Sequence, residues 1–219
     1  MSITAQQVIE GSYNRSSSND AGKLASDAEV LSHLDRTYQR LWALVARARP
    51  HEFASATSLP LGSVPPTLAL PANLVDLLDV RTVAGATVHV IPYKDRTRRW
   101  TIPPAVYRLG QSLVSRNAAG DPIVADSLTL TILDAPVALT ALSSVLDGRW
   151  PSRHYQVLVD ELAVYLSVKD SGRSAAERAA IDGALKESGA ALAAEYALGP
   201  SALEWLHAPA ERSVPAGKA

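Results

Sequence analysis

Apolar and polar residues follow a helical period at the start and at the end of this chain, and a different pattern in its middle. Between residues 27 and 47, apolar side chains recur at spacings of three and four: Leu31, Leu34, Tyr38, Leu41, Trp42 and Val45. This spacing predicts an amphipathic helix, with Asp35, Arg36, Arg40 and Arg47 mostly outside its apolar stripe. Ser26 and Glu29 form a capping-box pattern at its start, and Pro50 ends it. The small polar residues 12 to 25 predict a loop after a short first helix.

The middle of the chain, from Phe53 to Pro136, consists of short runs separated by proline and glycine. Three runs are rich in β-branched residues and predict strands: Thr82-Val83, Thr87 to Ile91 and Leu128 to Leu133. The spacing of the prolines is incompatible with long helices. We therefore expect a small antiparallel sheet or sandwich in this region.

The helical period returns after Pro151, with apolar side chains at Tyr155, Leu158, Val159, Leu162, Tyr165 and Leu166. Ser174 and Glu177 repeat the capping-box pattern and predict a second helix, which forms a hairpin with the first. Gly183 and Gly189 weaken this second helix by roughly 1 kcal/mol each, so we expect it to depend on packing against a partner.

Together these patterns predict an α+β fold. Its helical bundle consists of the long N-terminal helix plus the C-terminal helical hairpin, and it carries a small antiparallel β insertion. The expected organisation is an N-terminal helical segment (1–50), a β-rich insertion (51–150), a C-terminal helical hairpin that completes the helical domain (151–199), and a flexible tail (200–219).

Composition limits the chemistry that is available to the chain. Its 219 residues include no cysteine, which excludes disulfides, thiolate zinc sites and thiol nucleophiles. A formal charge of −1 argues against a dedicated nucleic-acid binder, while local basic patches remain open. No run approaches the roughly 18 apolar residues of a membrane span, and no secretion signal is recognisable. We expect a protein that stays in the cytoplasm where it is made.

The residues that could support catalysis form no known motif. The five histidines are scattered, without an i, i+4 pair or an accompanying carboxylate motif for zinc: His33, His51, His89, His154 and His207. Asp76 and Asp79 could act as general acid and base, but their apolar neighbours favour a short packed element. We therefore expect no catalytic, metal-binding or cofactor-binding residues and no enzymatic activity.

The order of elements and three short phrases resemble the head-to-tail adaptor, or head-completion, proteins of tailed bacteriophages. In that family a helix with an aromatic seam precedes a phrase of the Leu-Pro-x-Asp-Phe type and a valine-centred strand. Tyr-Arg-Leu, a strand ending near proline, and C-terminal helices follow. The matching positions, within residues 27 to 197, are Leu70-Pro71-Ala72-Asn73-Leu74 with Val80, Tyr107-Arg108-Leu109, Thr129-Leu130-Thr131-Ile132-Leu133-Asp134-Ala135-Pro136, and the helix from about Ser152.

This resemblance implies a structural adaptor that forms a homo-oligomeric ring, commonly twelvefold, in the neck of the virion after assembly in the host cytoplasm. The ring would contact the portal protein above and a stopper or tail protein below, with DNA passing through its channel. The resemblance implies no cofactor and no membrane. Heterologous contacts around a rotation axis close such a ring and use different faces of each subunit.

Two groups of residues are candidates for these contacts. A basic cluster formed by Lys94, Arg96, Arg98 and Arg99, joined by Arg108, could line a channel or pair with acidic groups, or could be a solvated hairpin tip. Near the C-terminus, Leu203, Trp205 and Leu206 could dock on a partner or fold back on their own domain.

Two other function classes remain open on the sequence. One is a different neck or tail component of the virion, such as a stopper or tail terminator. The other is a cellular protein-binding module, which would be a stable monomer with an exposed apolar patch near Trp205. For the adaptor, we expect helix 175 to 197 and the tail to contact the portal or the adjacent subunit.

Overall fold

The computed structural model describes residues 2–16, 25–60, 67–95, 105–116, 127–170 and 172–203. The chain divides into two compact units. Residues 1–49 and 136–219 form the helical unit, and residues 50–135 form the β unit. Residues 136–150, which the sequence analysis assigned to the β-rich insertion, thus belong to the helical unit. The reason is backbone pairing with the N-terminal segment. The amide of Ala5 donates to the Ser144 carbonyl, and the amide of Leu146 donates to the Ile3 carbonyl.

The described residues contain five α-helices, which we number in chain order. They are α1 (Ala5–Arg15), α2 (Asp27–Ala48), α3 (Pro50–Phe53), α4 (Tyr155–Lys169) and α5 (Ala175–Glu195). Short 3-10 turns lie at Tyr93–Asp95, Ser152–His154 and Pro200–Leu203. Among the described residues, no helix combines the length and apolar character needed to cross a membrane.

Helix α1 is longer than the sequence analysis expected. Thr4 and Gln7 form a complete capping box, and the helix continues to Arg15. The predicted loop over residues 12 to 25 is therefore wrong for residues 12–15, where Ser12 is buried and its hydroxyl donates to the Ile9 carbonyl, 2.6 Å away. Because its hydroxyl bonds within the same helix, Ser12 is buried without an unpaired polar group.

The predicted helix between residues 27 and 47 is confirmed as α2, which ends at Ala48. The hydroxyl of Ser26 accepts from the amide of Glu29, as the capping pattern predicted. The carboxylate of Glu29 contacts a different element, because it accepts from the Tyr165 hydroxyl at 2.7 Å and from the Lys169 ammonium. This cap therefore joins α2 to α4.

Helix α4 is the centre of the helical unit, since α1, α2 and α5 each pack against it. It is buried on nearly all sides, including the two acidic residues Asp160 and Glu161. The predicted capping box of Ser174 and Glu177 is present at the start of α5. The prediction of a simple bundle of one long helix and a hairpin is nevertheless wrong, because α1 is a further packed helix and α4 is enclosed by its neighbours.

The prediction of a small β insertion is also wrong, because the described residues of the β unit form seven strands in two sheets. In chain order they are β1 (Ala54–Pro60), β2 (Thr67–Ala69), β3 (Leu74–Thr82), β4 (His89–Ile91), β5 (Ala105–Leu109), β6 (Ser112–Arg116) and β7 (Ser127–Asp134). Runs that mix apolar and acidic residues, such as Leu74–Thr82, were not predicted as strands from their composition. Their acidic residues interrupt the β-branched pattern.

One sheet has the order β1-β7-β3 and is antiparallel, and the other has the order β2-β6-β5-β4. Strands β4 and β5 run parallel, which departs from the predicted antiparallel pairing. Residues from both sheets form one apolar core, including Leu68, Val106 and Leu113 from the second sheet and Val80, Leu128 and Leu130 from the first. The β unit is thus a two-layer sandwich with its own core.

Candidate interaction surfaces

The described members of the predicted basic cluster lie at one end of the second sheet. Lys94 is exposed in the 3-10 turn after β4, and Arg108 is exposed on β5. Lys94 follows Ile91 in the chain, and Arg108 follows Tyr107. Ile91 and Tyr107 are register partners in the parallel pair of β4 and β5. Arg108 donates from Nε to the Gly110 carbonyl at 3.0 Å, so it is held against its own hairpin. Arg96, Arg98 and Arg99 lie outside the described residues.

The predicted apolar docking group also includes residues inside and outside the described part of the chain. Leu203 is only 5% exposed and ends the 3-10 turn that follows α5. Its side chain is therefore part of the packed chain and is not an exposed anchor. Trp205 and Leu206 lie outside the described residues, so their contacts stay a prediction.

Asp76 and Asp79 lie on β3, and each carboxylate has a local partner. Asp76 accepts from the amide of Leu77 at 2.8 Å, and Asp79 accepts from Arg81 Nε at 2.7 Å. The hydrogen bond from Arg81 lowers the pKa of Asp79. The partner residues Leu77 and Arg81 lie on the same bulged strand, close in sequence to the aspartates that they contact. The two carboxylates are therefore held in separate contacts. Within the described ranges, no group of three or more His, Asp or Glu side chains is arranged to hold a metal ion.

The β unit exposes several large apolar side chains. The most exposed of them are Val83, Val90, Tyr93 and Leu109, between 48% and 70% exposed. Val90 lies on β4, which pairs only with β5 among the described strands. An edge strand with unpaired backbone groups and exposed apolar side chains is a surface on which another chain can add.

A buried polar network joins α2 to α4 within the helical unit. His33 Nε2 lies 3.0 Å from both carboxylate oxygens of Glu161, and the Thr37 hydroxyl donates to the same carboxylate at 3.1 Å. The His33 ring also stacks on Tyr165, with centroids 3.8 Å apart. Because each polar group has a partner, this network orients α2 on α4. It has the character of a structural contact.

A second group of charged side chains surrounds the end of α5. Glu195 accepts from both Arg153 and His154, and His154 Nε2 lies 2.7 Å from its carboxylate. The Arg153 hydrogen bonds, followed by those of His154, lower the pKa of Glu195 to about 2. Arg49 donates to the Glu195 carbonyl and lies over the Tyr196 ring, 5.0 Å from its centroid. These contacts hold the end of α5 beside α2 and the start of α4.

A groove on the helical unit contains the buried carboxylate of Asp160. We call it the Asp160 groove. Its lining includes basic, acidic and small side chains: Arg15 of α1, Arg153 and His154 before α4, Gln156 and Asp160 of α4, and Ala184, Glu187 and Ser188 of α5. Three adjoining cavities of about 320, 520 and 320 Å³ open along it. Asp160 Oδ1 accepts from Gln156 at 2.9 Å and lies 3.3 Å from Arg15 Nε. Its buried Oδ2 has no hydrogen-bond partner.

This groove was not among the predicted sites, although the sequence contains a signal for it. Asp160 and Glu161 are adjacent acidic residues in a helix whose other positions are largely apolar. Adjacent residues of a helix point about 100° apart, so two such residues cannot both face solvent if the apolar face is broad. At least one must be buried against a partner, and the structure shows that both are.

Helix α2 presents a basic surface that the sequence analysis recorded only as its polar face. Arg36, Arg40 and Arg47 are all exposed. Their spacings of four and seven residues place them within about 40° of each other around the helix. Arg36 and Arg47 make no hydrogen bond or ion pair with the described part of the chain. We call these three residues the arginine stripe.

No protein-family model matches the chain, and no curated protein is significantly similar to it.

Proposed function

We propose that this chain is a non-catalytic structural adaptor, which forms a ring between a phage portal and the tail or stopper and leaves a channel for DNA. The observation that carries the proposal is the position of the adaptor-like phrases in the fold. Leu70 and Val80 lie in the core between the two sheets, and Tyr107-Arg108-Leu109 ends β5. Residues 129–134 end β7, and Pro136 is the first residue of the helical unit after the β unit.

Leu70 and Val80 thus occupy core positions, whereas Pro71 to Asn73 form the turn between β2 and β3. The element order agrees as well, because the β unit is inserted between α2 and the α4–α5 pair. This agreement supports an adaptor of the resembling family, although the β unit is larger than the sequence analysis expected.

The surfaces of the two units also suit a connector. The β unit offers exposed apolar side chains beside an edge strand, and the helical unit offers the arginine stripe and the Asp160 groove. A ring subunit between two larger rings needs separate faces for its two neighbours and for the proteins above and below. A chain with several chemically different surfaces meets that need.

The direct test is electron microscopy of portal-bearing, tail-free particles from the phage that encodes the chain, with and without the purified protein. We expect an added ring of density below the portal and no density on particles that lack a portal. Particles that stay unchanged at saturating protein would contradict the adaptor function.

The role of the C-terminus can be separated with two truncations. Ending the chain after Leu198 removes the buried Leu203, whereas ending it after Leu203 keeps that contact and removes Trp205 and Leu206. We expect the shorter chain to be absent from particles. Loss of incorporation in both chains, with normal folding by circular dichroism, would place the partner contact beyond Leu203.

The basic cluster has an equally direct test. Replacing Arg96, Arg98 and Arg99 by Gln should reduce genome retention or ring assembly if the cluster contacts DNA or a partner. Replacing Arg81 by Gln provides a matched control, because Arg81 is an exposed arginine of the same unit that pairs with Asp79. Particles with unchanged genome content and ring occupancy would assign the cluster to a solvated hairpin tip.

A further inference from the structure

The arginine stripe gives the exposed side of α2 a single sign of charge. Between residues 32 and 48, the exposed positions of this helix carry no carboxylate: Ser32, Arg36, Arg40, Arg47 and Ala48. The one carboxylate in this range, Asp35, is half-buried and accepts from the Leu139 amide at 2.7 Å. The exposed charged residues of α5, by contrast, have both signs: Glu177, Asp182, Lys186 and Glu187. The stripe is therefore a local positive surface on a chain whose formal charge is −1.

Two arginines of the stripe have donors that the described chain does not use. Arg36 and Arg47 make no hydrogen bond or ion pair with the described residues. A guanidinium group carries five N–H donors in a planar fork, and this geometry matches the oxygens of a phosphate group. The exposed side of α2 therefore offers positive charge together with donors suited to phosphate.

The exposed side of α2 lacks the apolar centre that a protein-binding surface needs. Helix α2 is described in full, and none of its large apolar side chains is exposed. Interfaces between proteins have an apolar core inside a polar rim, and buried anchors contribute most of their affinity. Surfaces that bind DNA are more polar and much more positively charged. The stripe matches the second kind of surface.

The stripe also has a shape that a DNA strand can follow. Arg36 and Arg47 are eleven residues apart, so they lie about 16 Å apart along α2 and within about 20° of each other around its axis. Over that length, one strand of a duplex carries about five phosphates. Ser32 and Ala43, which lie within about 40° of Arg36 around the helix, are small. A phosphate backbone can therefore lie along the helix and reach both guanidinium groups.

We propose that the arginine stripe of α2 binds the phosphate backbone of double-stranded DNA. Arg36 and Arg47 each donate to phosphate oxygens, and Arg40 adds positive charge between them. Contacts to phosphate carry no sequence information, so this binding is independent of base sequence. For its place in the assembly the proposal rests on the adaptor function proposed above, and it identifies the residues that face the DNA in the ring.

The test is fluorescence anisotropy of a labelled duplex of about 30 base pairs with the full chain, at about 50 to 200 mM salt. Arg36→Gln with Arg47→Gln should reduce the slope of log K against log salt by about 2, because two phosphate contacts are lost. At the lowest salt concentration the variant should bind at least about tenfold more weakly. Both positions are exposed and glutamine is a good helix former, so circular dichroism should show an unchanged fold.

Arg81→Gln with Lys186→Gln is the matched control for net charge. It also removes two positive charges, but from exposed positions outside the stripe. We expect the control to keep the affinity and the salt dependence of the wild type. A control that loses as much affinity as the stripe variant would assign the effect to net charge and overturn the proposal. A stripe variant with the wild-type slope would overturn it as well.

Ring occupancy on portal-bearing particles separates this contact from a protein partner and from the adaptor function. We expect the stripe variant to add a ring as the wild type does, while its affinity for DNA falls. A stripe variant that keeps its DNA affinity but adds no ring would assign the stripe to an acidic protein surface and overturn the proposal. A wild-type chain that adds rings but does not bind DNA at low salt overturns the proposal and leaves the adaptor function standing. A wild-type chain that binds DNA through the stripe but adds no ring supports the DNA contact and overturns the adaptor function.

Discussion

The helical unit and the β unit solve the same packing problem with different chemistry. Among the described residues, all the buried polar or charged side chains lie in the helical unit: Ser12, Ser16, Thr37, His154, Asp160, Glu161 and Ser167. The core between the two sheets of the β unit is apolar throughout. Strand pairing satisfies the backbone of the β unit and sets its register, whereas helices satisfy their own backbones and need side chains to set their mutual orientation.

This difference suggests which changes each unit tolerates. In the β unit, volume and apolar character decide stability, because the backbone ladder already specifies the arrangement. In the helical unit, paired polar groups add specificity at the contacts of α4 with α1 and α2. Removing one partner there leaves a buried group unsatisfied, which costs more than the pair contributes.

The largest effect is expected from Trp42→Ala in the helical unit. Trp42 is 1% exposed and packs near Tyr38 and Trp150, with ring centroids 6.1 and 6.5 Å away. Removing a buried aromatic ring should lower the free energy of unfolding by about 3 to 5 kcal/mol. Leu130→Ala is the matched change in the β unit, with an expected loss of about 2 to 5 kcal/mol.

Hydrogen exchange read by mass spectrometry shows where each of these two substitutions acts. Trp42→Ala should increase exchange in α2 and α4 more than in β7, and Leu130→Ala should do the opposite. Equal increases in both units would show that the chain unfolds as one cooperative body and would remove the basis of the comparison.

A smaller effect is expected from Glu161→Gln. The substitution keeps the shape of the side chain but removes the charge that His33 and Thr37 contact, so we expect a loss of about 1 to 3 kcal/mol in chemical denaturation. Glu187→Gln, on an exposed side chain, should change stability by less than about 0.5 kcal/mol. Equal effects of the two substitutions would mean that burial of Glu161 does not matter.

The charged contacts of Glu195 predict a dependence of stability on acid. Its pKa is lowered from 4.5 to about 2, first by Arg153 and then by His154. The unfolded chain binds this proton more readily, so the contribution of Glu195 is fully present above pH 4.5 and is lost as the pH falls towards 2. Thermal melts of the wild type and Glu195→Gln should differ above pH 4.5 and converge near pH 2. A difference that does not change over this range would contradict the prediction.

The smallest effect is expected at Gly183, and its direction is opposite. Gly183→Ala should stabilise the chain by up to about 1 kcal/mol, because the position is exposed inside α5 and has room for a Cβ. Gly11→Ala should show no such gain, since its Cβ would lie 3.3 Å from Val159 Cγ2 at the contact of α1 with α4. Denaturant midpoints of the two variants test this contrast, and a gain at Gly11 would show that α1 can move away from α4.

Sequence patterns were most reliable where one local rule dominated. The caps at Ser26 and Ser174 and the stripe of α2 depend on neighbours within four residues, and the helices follow them. The β unit was underestimated, because strands such as β1 and β3 carry serine, proline or aspartate and are stabilised by pairing with β7. Such pairing joins residues far apart in the chain and has no local signature.

The candidate surfaces show the same difference between features set by sequence neighbours and features set by distant contacts. Spacing alone placed Arg36, Arg40 and Arg47 on the polar face of α2, and it identified the basic cluster from Lys94 to Arg99. It did not indicate that Leu203 would be buried, nor that Asp160 would lie at the base of a groove with one oxygen free. Those properties depend on which helices pack against α4.

By itself, the sequence of this protein determined the main helices, their caps and the β character of the middle region. These depend on the periods of helices and strands and on side chains that act over a few residues. Only the tertiary structure decided the size and pairing of the two sheets, the enclosure of α4, and the burial of Asp160 in a groove between α1, α4 and α5. These depend on contacts between distant segments, whose free energy is gained only when the whole unit folds.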